Sequence, residues 1–137
     1  MRGSLLLLLS AALVIAACEQ PIIGRLGSQF QVDAGQSARI VGTDLQLMFV
    51  RVDSDSRCPV GVQCITAGEA VIALRAQTQK AGTHWLRLRL PGGAQPDSTS
   101  TRDVGGYHVS VMGLDPPPAA GIRTDSTAYV ATLVVTR

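Results

Sequence analysis

The feature that most constrains the fold is a strict alternation of apolar and polar side chains in two neighbouring segments of the chain. In residues 69–77, aliphatic side chains occupy positions 70, 72, 74 and 76, and in residues 84–90 the three leucines recur at every second position. A two-residue period is typical of a strand with one buried and one solvated face. Since no window of a dozen residues from Ser28 onward has a clear 3.6-residue period, the domain is predicted to be all-β.

Short runs with β-strand character continue through most of the chain and are separated by turn residues such as Asp33-Ala34-Gly35 and by the long polar stretch 91–100. The predicted strands are residues 27–32, 37–41, 45–52, 69–77, 84–90, 107–112 and 128–136. Seven short strands in a domain of this size predict two packed antiparallel sheets, an immunoglobulin-like β-sandwich. A small closed β-barrel is the alternative.

Length and composition limit the chain to one folded domain and exclude one class of partner. The chain has 137 residues, of which 46% are hydrophobic and only 4% aromatic, so the core is predicted to consist mainly of aliphatic side chains. The formal net charge is +2. Such a small and dispersed charge does not favour binding to a nucleic acid backbone.

Residues 1–17 have the pattern of a bacterial signal peptide. Arg2 supplies the positive charge of a short leading segment, and residues 5–15 form an apolar run that is broken only by Ser10. As a helix this run would extend about 16 Å, roughly half of the hydrocarbon thickness of a bilayer, so it is too short to span a membrane comfortably.

The leader ends in Ile15-Ala16-Ala17-Cys18, which resembles the lipobox of bacterial lipoproteins. The resemblance implies that Cys18 is alkylated with diacylglycerol, that the leader is cleaved before it, and that fatty acids such as palmitate hold the protein at a membrane. Residues 18–26 would then be a lipidated tether and residues 27–137 the β-sandwich domain. The alternative is an ordinary secretory signal that is cleaved near Ala16-Ala17.

The lipoprotein resemblance also gives a predicted location in the bacterial cell envelope, with the membrane as a partner through the lipid on Cys18. Residue 19 is Glu and not Asp. By the sorting rule of bacterial lipoproteins, this residue favours the outer membrane in a bacterium that has two membranes.

Two further cysteines, Cys58 and Cys64, form an even pair in an exported domain and are predicted to be bonded to each other. Pro59 and Gly61 lie between them and allow the chain to turn back on itself. The alternative is a redox or metal-binding pair, although the spacing is not Cys-x-x-Cys and no histidine is near in the sequence.

The wider segment, residues 55–70, contains the sequence Asp-Ser-Arg-Cys-Pro-Val-Gly-Val-Gln-Cys and resembles a group of uncharacterised bacterial secreted proteins and lipoproteins. Members of that group usually carry Trp two places after the second cysteine, where this chain has Thr66. The resemblance adds support for a disulfide and implies no activity.

Residues that could carry catalysis or bind a metal are few. His84 is predicted to point with Leu86 towards the core, and His108 has the same parity as Met112, so neither a copper site nor another metal site is favoured. The acids Asp53 and Asp55 lie beside Arg57, where a solvated turn or a weak internal ion pair is predicted. No Gly-x-Ser-x-Gly motif is present. We therefore expect no cofactor and no enzymatic activity.

The leading hypothesis is a lipid-anchored, non-enzymatic binding or structural module whose contact surface surrounds Trp85, Arg87 and Arg89, with a protein of the envelope as a possible partner. A second hypothesis is an inhibitor that inserts the loop from Cys58 to Cys64 into the active site of a hydrolase. Val60 and Val62 are the candidate contact residues of that loop. A metal-binding protein is a third, less favoured hypothesis.

Overall fold

The computed structural model describes residues 21–93 and 95–137, and the predicted leader and Cys18 lie outside these residues. Within the described residues, nine strands form two packed sheets. The strands are β1 (Ile22–Arg25), β2 (Gln29–Asp33), β3 (Ser37–Val41), β4 (Gln46–Asp55), β5 (Glu69–Thr78), β6 (Gly82–Pro91), β7 (Thr101–Val104), β8 (Tyr107–Asp115) and β9 (Val130–Thr136).

The larger sheet has the strand order β1-β3-β4-β5-β6, and the smaller sheet has the order β2-β9-β8-β7. All neighbouring strands are antiparallel except β1, which pairs with β3 in parallel. The prediction of a β-sandwich is confirmed, and the alternative of a closed barrel is wrong because the two sheets are separate. The first strand makes the larger sheet mixed rather than purely antiparallel.

All seven predicted strands are present, and the structure contains two further strands that the sequence pattern does not predict. Strand β1 falls within residues 18–26, which the sequence predicts to be a tether, so the sheet begins at Ile22. Strand β7 follows the polar stretch 91–100 and contains mainly polar residues. Each missed strand has four residues and lies at a sheet edge, and so few residues contain too little alternation to be recognised.

The core lies between the sheets and is mainly aliphatic, as predicted. The inward positions of β5 and β6 include Ile72, Leu74 and Leu88, which are fully buried, and Phe49 of β4 is the largest fully buried side chain. Burial of each such side chain stabilises the folded state by about 1.5 to 3 kcal/mol. The alternation in the sequence therefore identified the inner face of both strands.

The two ends of the sandwich differ in the length of their connections. At one end, which we call the turn end, residues 26–28, 42–45, 79–81 and 105–106 join successive strands. At the opposite end, which we call the loop end, the two longest connections are residues 56–68 between β4 and β5 and residues 116–129 between β8 and β9. Long connections are where binding residues are most often found, so the loop end is a candidate functional site.

Candidate functional site

The loop end contains the predicted disulfide. Cys58 and Cys64 are bonded, with their Cα atoms 6.0 Å apart. The backbone N–H of Cys58 donates to the carbonyl of Ala67 (2.9 Å), and that of Val62 donates to the carbonyl of Pro59 (3.2 Å). The prediction that these two cysteines pair with each other is confirmed, and residues 58–64 form a closed loop, which we call the stapled loop.

A mostly buried ion pair joins the base of the stapled loop to the opposite sheet. Arg57 donates from Nε to Oδ1 of Asp55 (2.8 Å) and from Nη2 to Oδ2 (2.7 Å). The same guanidinium donates to the carbonyls of Leu114 (2.7 Å) and Pro116 (3.1 Å) in and after β8. The side chains of Arg57 and Asp55 are 11% and 9% exposed. The sequence predicted a weak ion pair, but this pair has bidentate geometry and links two sheets.

The chemistry of Asp55 is set by its neighbours. Burial by itself raises the pKa of Asp55, but the hydrogen bonds and charge of Arg57 and a hydrogen bond from the hydroxyl of Tyr129 (3.2 Å) outweigh burial, so the pKa is below its ordinary value. Asp55 is therefore an ionised structural carboxylate at neutral pH. A general acid would require a raised pKa.

The second long connection supports the stapled loop from the side. The N–H of Val60 donates to the carbonyl of Pro118 (3.0 Å), and Val60 and Ile122 each form an isolated β-bridge with Ala119. The disulfide, Arg57 and this backbone contact together hold the stapled loop in one position.

The loop end exposes several large aliphatic side chains on this fixed backbone. Val60 and Ile122 are each 70% exposed, and Ile65 is fully exposed. Val62 is 44% exposed. We call these four residues the loop-end patch. Apolar side chains held on a rigid loop lose little conformational entropy when a partner covers them, so the loop-end patch has the properties of a protein contact surface.

An open groove of about 760 Å³ lies beside the loop-end patch, between the end of β4 and residues 118–129. Asp55, Arg123 and Tyr129 are among the residues that line it. Neither a histidine nor a cysteine is part of its lining, and Asp55 is held in its ion pair with Arg57. The groove has room for a ligand.

The predicted contact surface around Trp85 lies on the outer face of β6, remote from the core. Trp85 is 63% exposed. Nε of Arg87 lies 3.0 Å from Oδ2 of Asp53, and Arg89 forms an ion pair with Glu69. These exposed ion pairs hold the arginine side chains loosely. The structure places Trp85, Arg87 and Arg89 on one face, as the parity of the sequence indicated.

The two histidines lie on different sheets. The prediction that His84 points into the core is wrong: it is exposed at the start of β6, and its Nε2 lies 2.6 Å from the carbonyl of Ala81. His108 lies on the other sheet and pairs with Asp103. Within residues 21–93 and 95–137, no three His, Cys, Asp or Glu side chains are grouped in a way that could hold a metal ion.

Comparison of the chain with models of protein families, with curated proteins and with solved structures finds no match. The resemblance of residues 55–70 to a group of secreted proteins therefore depends on those residues alone. No helix in the described part of the chain is both long and apolar enough to cross a membrane.

Proposed function

We propose that the chain is a lipid-anchored lipoprotein of the bacterial cell envelope whose β-sandwich acts as a non-enzymatic binding module. The proposed anchor is Cys18 in the sequence Ile15-Ala16-Ala17-Cys18, and Glu19 favours the outer membrane. Two or three acyl chains on one residue exceed what stable anchoring requires, since each buried methylene contributes about 0.8 kcal/mol.

The observation that carries this proposal is the disulfide between Cys58 and Cys64. Stable disulfides belong to exported proteins, because the cytosol keeps thiols reduced. The pairing also accounts for two of the three cysteines of the chain, and the third, Cys18, follows the apolar leader at the position that a lipoprotein uses. The two sequence features thus support one location.

Intact-mass spectrometry of the native protein tests the anchor. We expect a mature chain that begins at Cys18 and carries the mass of diacylglycerol, with or without a third acyl chain. The matched variant Cys18→Ser should lose palmitate labelling and accumulate with its leader uncleaved. A Cys18→Ser protein that matures and takes up palmitate as the wild type does would disprove the anchor.

A second candidate function is supported by the loop-end patch. Val60 and Val62 protrude from a loop that is fixed by a disulfide, a buried ion pair and a backbone hydrogen bond. This arrangement suits an inhibitor that presents a preformed loop to the active site of an envelope hydrolase, because a fixed loop loses little conformational entropy on binding.

The inhibitor function predicts a stoichiometric hydrolase partner whose activity falls when the protein is added. Replacing Val60 and Val62 with Asp should abolish this inhibition, since a charge would be buried without a partner in the interface. Leu26→Asp is the matched control, because Leu26 is an exposed aliphatic residue at the turn end. Equal inhibition by the loop variant and the control would exclude the stapled loop as the inhibitory element.

A further inference from the structure

The outer faces of the two sheets carry opposite charge. The outer face of the larger sheet, which we call the arginine face, has six arginines and two carboxylates, Asp53 and Glu69, and thus a net charge of +4. The arginines are Arg25, Arg39, Arg51, Arg75, Arg87 and Arg89. The strands of the smaller sheet expose Arg102 and three aspartates, Asp33, Asp103 and Asp115, a net charge of −2.

Three of the six arginines on the arginine face form no ion pair in the part of the chain that the structure describes. Arg51, Arg87 and Arg89 form ion pairs with Asp53 or Glu69. Within residues 21–93 and 95–137, no ion pair involves Arg25, Arg39 or Arg75. These three positive charges are therefore available to anions outside the molecule.

Exposed apolar side chains lie at both edges of the arginine face. Ile23 of β1 and Val41 of β3 are each 52% exposed and lie beside Arg39 and Arg25 in the parallel pairing. Trp85 lies on β6 at the opposite edge, and β6 is four inter-strand spacings, or about 19 Å, from β1. Arginine and tryptophan together suit the boundary between lipid headgroups and acyl chains, where an aromatic ring and a charged head are both satisfied.

The position of the N-terminal strand brings this face close to the proposed anchor. Strand β1 is an edge strand of the larger sheet and begins at Ile22. Only residues 19–21 separate Ile22 from Cys18, so the Cα atoms of Cys18 and Ile22 can be at most about 14 Å apart. A lipid on Cys18 therefore keeps the edge of the sandwich next to the headgroups, and charge selects which outer face turns towards them.

We propose that the arginine face lies flat on an anionic bilayer surface, with Trp85 among the headgroups and the acidic outer face of the smaller sheet turned away. This inference rests on the proposed lipid anchor. The loop end then lies at the side of the bound domain, open to a partner in the envelope. The lipid chemistry that the arginines recognise is a phosphate headgroup with net negative charge.

Trp85 is the single tryptophan of the chain and reports directly on this contact. The full mature lipoprotein is reconstituted into vesicles of phosphatidylcholine with 30% phosphatidylglycerol, and into vesicles of phosphatidylcholine alone. In the anionic vesicles we expect a blue-shifted emission, strong quenching by brominated lipids and poor quenching by acrylamide in water. In the neutral vesicles Trp85 should remain accessible to acrylamide.

Matched variants separate a specific face from a general charge effect. Replacing Arg39 and Arg75 with Gln should lower the ratio of molecules whose arginine face contacts the bilayer to molecules whose arginine face is in water roughly 25-fold. Each arginine near an anionic surface contributes about a factor of five to this ratio. Replacing Arg102 and Arg123 with Gln removes the same charge elsewhere and should leave the quenching unchanged. Equal effects of the two pairs, or equal quenching in both kinds of vesicle, would overturn the proposal.

Flotation of the vesicles distinguishes a failed anchor from a failed orientation. A protein that does not float with either kind of vesicle lacks the lipid, and both proposals are then wrong. A protein that floats while Trp85 stays exposed to water retains the anchor and refutes the membrane contact. If the arginine variants weaken retention on an anionic polysaccharide but do not alter the quenching in vesicles, the face binds a different polyanion and the membrane proposal is wrong.

Discussion

The two ends of the sandwich are stabilised in different ways. At the turn end, short connections close on themselves: the hydroxyl of Thr43 donates to the carbonyl of Ile40 (2.8 Å), and the N–H of Ile40 donates to the carbonyl of Leu45 (3.1 Å). At the loop end, the contacts of Arg57 with Leu114 and Pro116 join residues that are 57 and 59 positions apart. The connection between β3 and β4 is thus closed partly by hydrogen bonds among its own residues, whereas the loop end depends on contacts between segments far apart in the sequence.

The same contrast is visible at two glycines that both require a positive φ. Gly42 at the turn end has φ +75°, and a Cβ atom there would have no neighbour within 4 Å. Gly68 at the loop end has φ +67°, and a Cβ atom would lie 1.8 Å from the carbonyl oxygen of Ser56. Gly42 serves backbone conformation alone, whereas Gly68 also allows two backbone segments to approach each other.

The largest effect is therefore expected for Gly68→Ala. The substitution combines a strained backbone with a clash against backbone that cannot move aside, and we expect a loss of at least about 4 kcal/mol in the free energy of unfolding. Gly42→Ala is the matched control and should cost about 1 to 2 kcal/mol from the backbone conformation alone. Urea denaturation of the two variants measures both values. Similar losses would mean that the loop end is no more tightly packed than the turn end.

The next largest effect is expected for Arg57→Ala. Removing Arg57 leaves Asp55 buried without its partner, and breaking such a pair costs about 3 kcal/mol or more. Arg137→Ala at the turn end should cost less than about 1 kcal/mol, because it removes an exposed arginine that contacts the ring and hydroxyl of Tyr107. Urea denaturation again measures the difference.

A double variant tests the cause of the Arg57 effect. If the loss comes from the isolated charge of Asp55, adding Asp55→Ala to Arg57→Ala should restore part of the stability. A double variant that is as unstable as the sum of the two single variants would contradict the role of the ion pair.

Opening the disulfide is expected to have a smaller effect, which is largest at the loop end. Closing a ring from Cys58 to Cys64 stabilises the fold by about 2 kcal/mol in the chain-entropy model. Replacing both cysteines with Ser should therefore speed hydrogen exchange at the N–H of Val60, which is bonded to Pro118. Exchange at the N–H of Ile40 near the turn end is the internal control and should accelerate less. Equal acceleration at both sites would show global rather than local loosening.

The sequence predicted those parts of the fold that depend on local patterns. The two-residue alternation in β5 and β6 identified buried residues such as Leu74 and Leu88 and placed Trp85 on the outer face, and the structure adds that Trp85 is exposed. The spacing of Cys58 and Cys64 identified the disulfide. The alternation gave a wrong prediction for His84, because it indicates the side of a strand and not how far the core extends along that strand. All four residues from Gly82 to Trp85 are exposed.

The remaining features depend on which strands become neighbours. Arg39 and Arg75 are far apart in the sequence, and the sheet order β1-β3-β4-β5-β6 collects them on one face. The contact of Arg57 with β8 likewise requires the two sheets to pack together. A net charge of +2 for the whole chain conceals this distribution, since the opposite outer face carries the compensating acids. No local pattern contains this information.

The smallest expected effect concerns a tyrosine hydroxyl that donates to an aspartate at each end of the sandwich. At the turn end, the hydroxyl of Tyr107 donates to Asp44 (3.0 Å) and is the main reason that the pKa of Asp44 is lowered. At the loop end, Tyr129 contributes least of the groups that lower the pKa of Asp55, and Arg57 contributes more. Tyr107→Phe should therefore raise the pKa of Asp44 clearly, whereas Tyr129→Phe should change that of Asp55 little.

The sign of the pH dependence follows from these lowered pKa values. A carboxyl group whose pKa is lowered by folding adds stability above its unfolded pKa, near 4, and loses it as the pH falls through the folded pKa. Tyr107→Phe should thus destabilise the protein at neutral pH, and the part of its deficit due to Asp44 should disappear in acid. Carboxyl titration by NMR gives both pKa values directly. A larger shift for Asp55 than for Asp44 would mean that Tyr129, and not Arg57, controls the charge at the loop end.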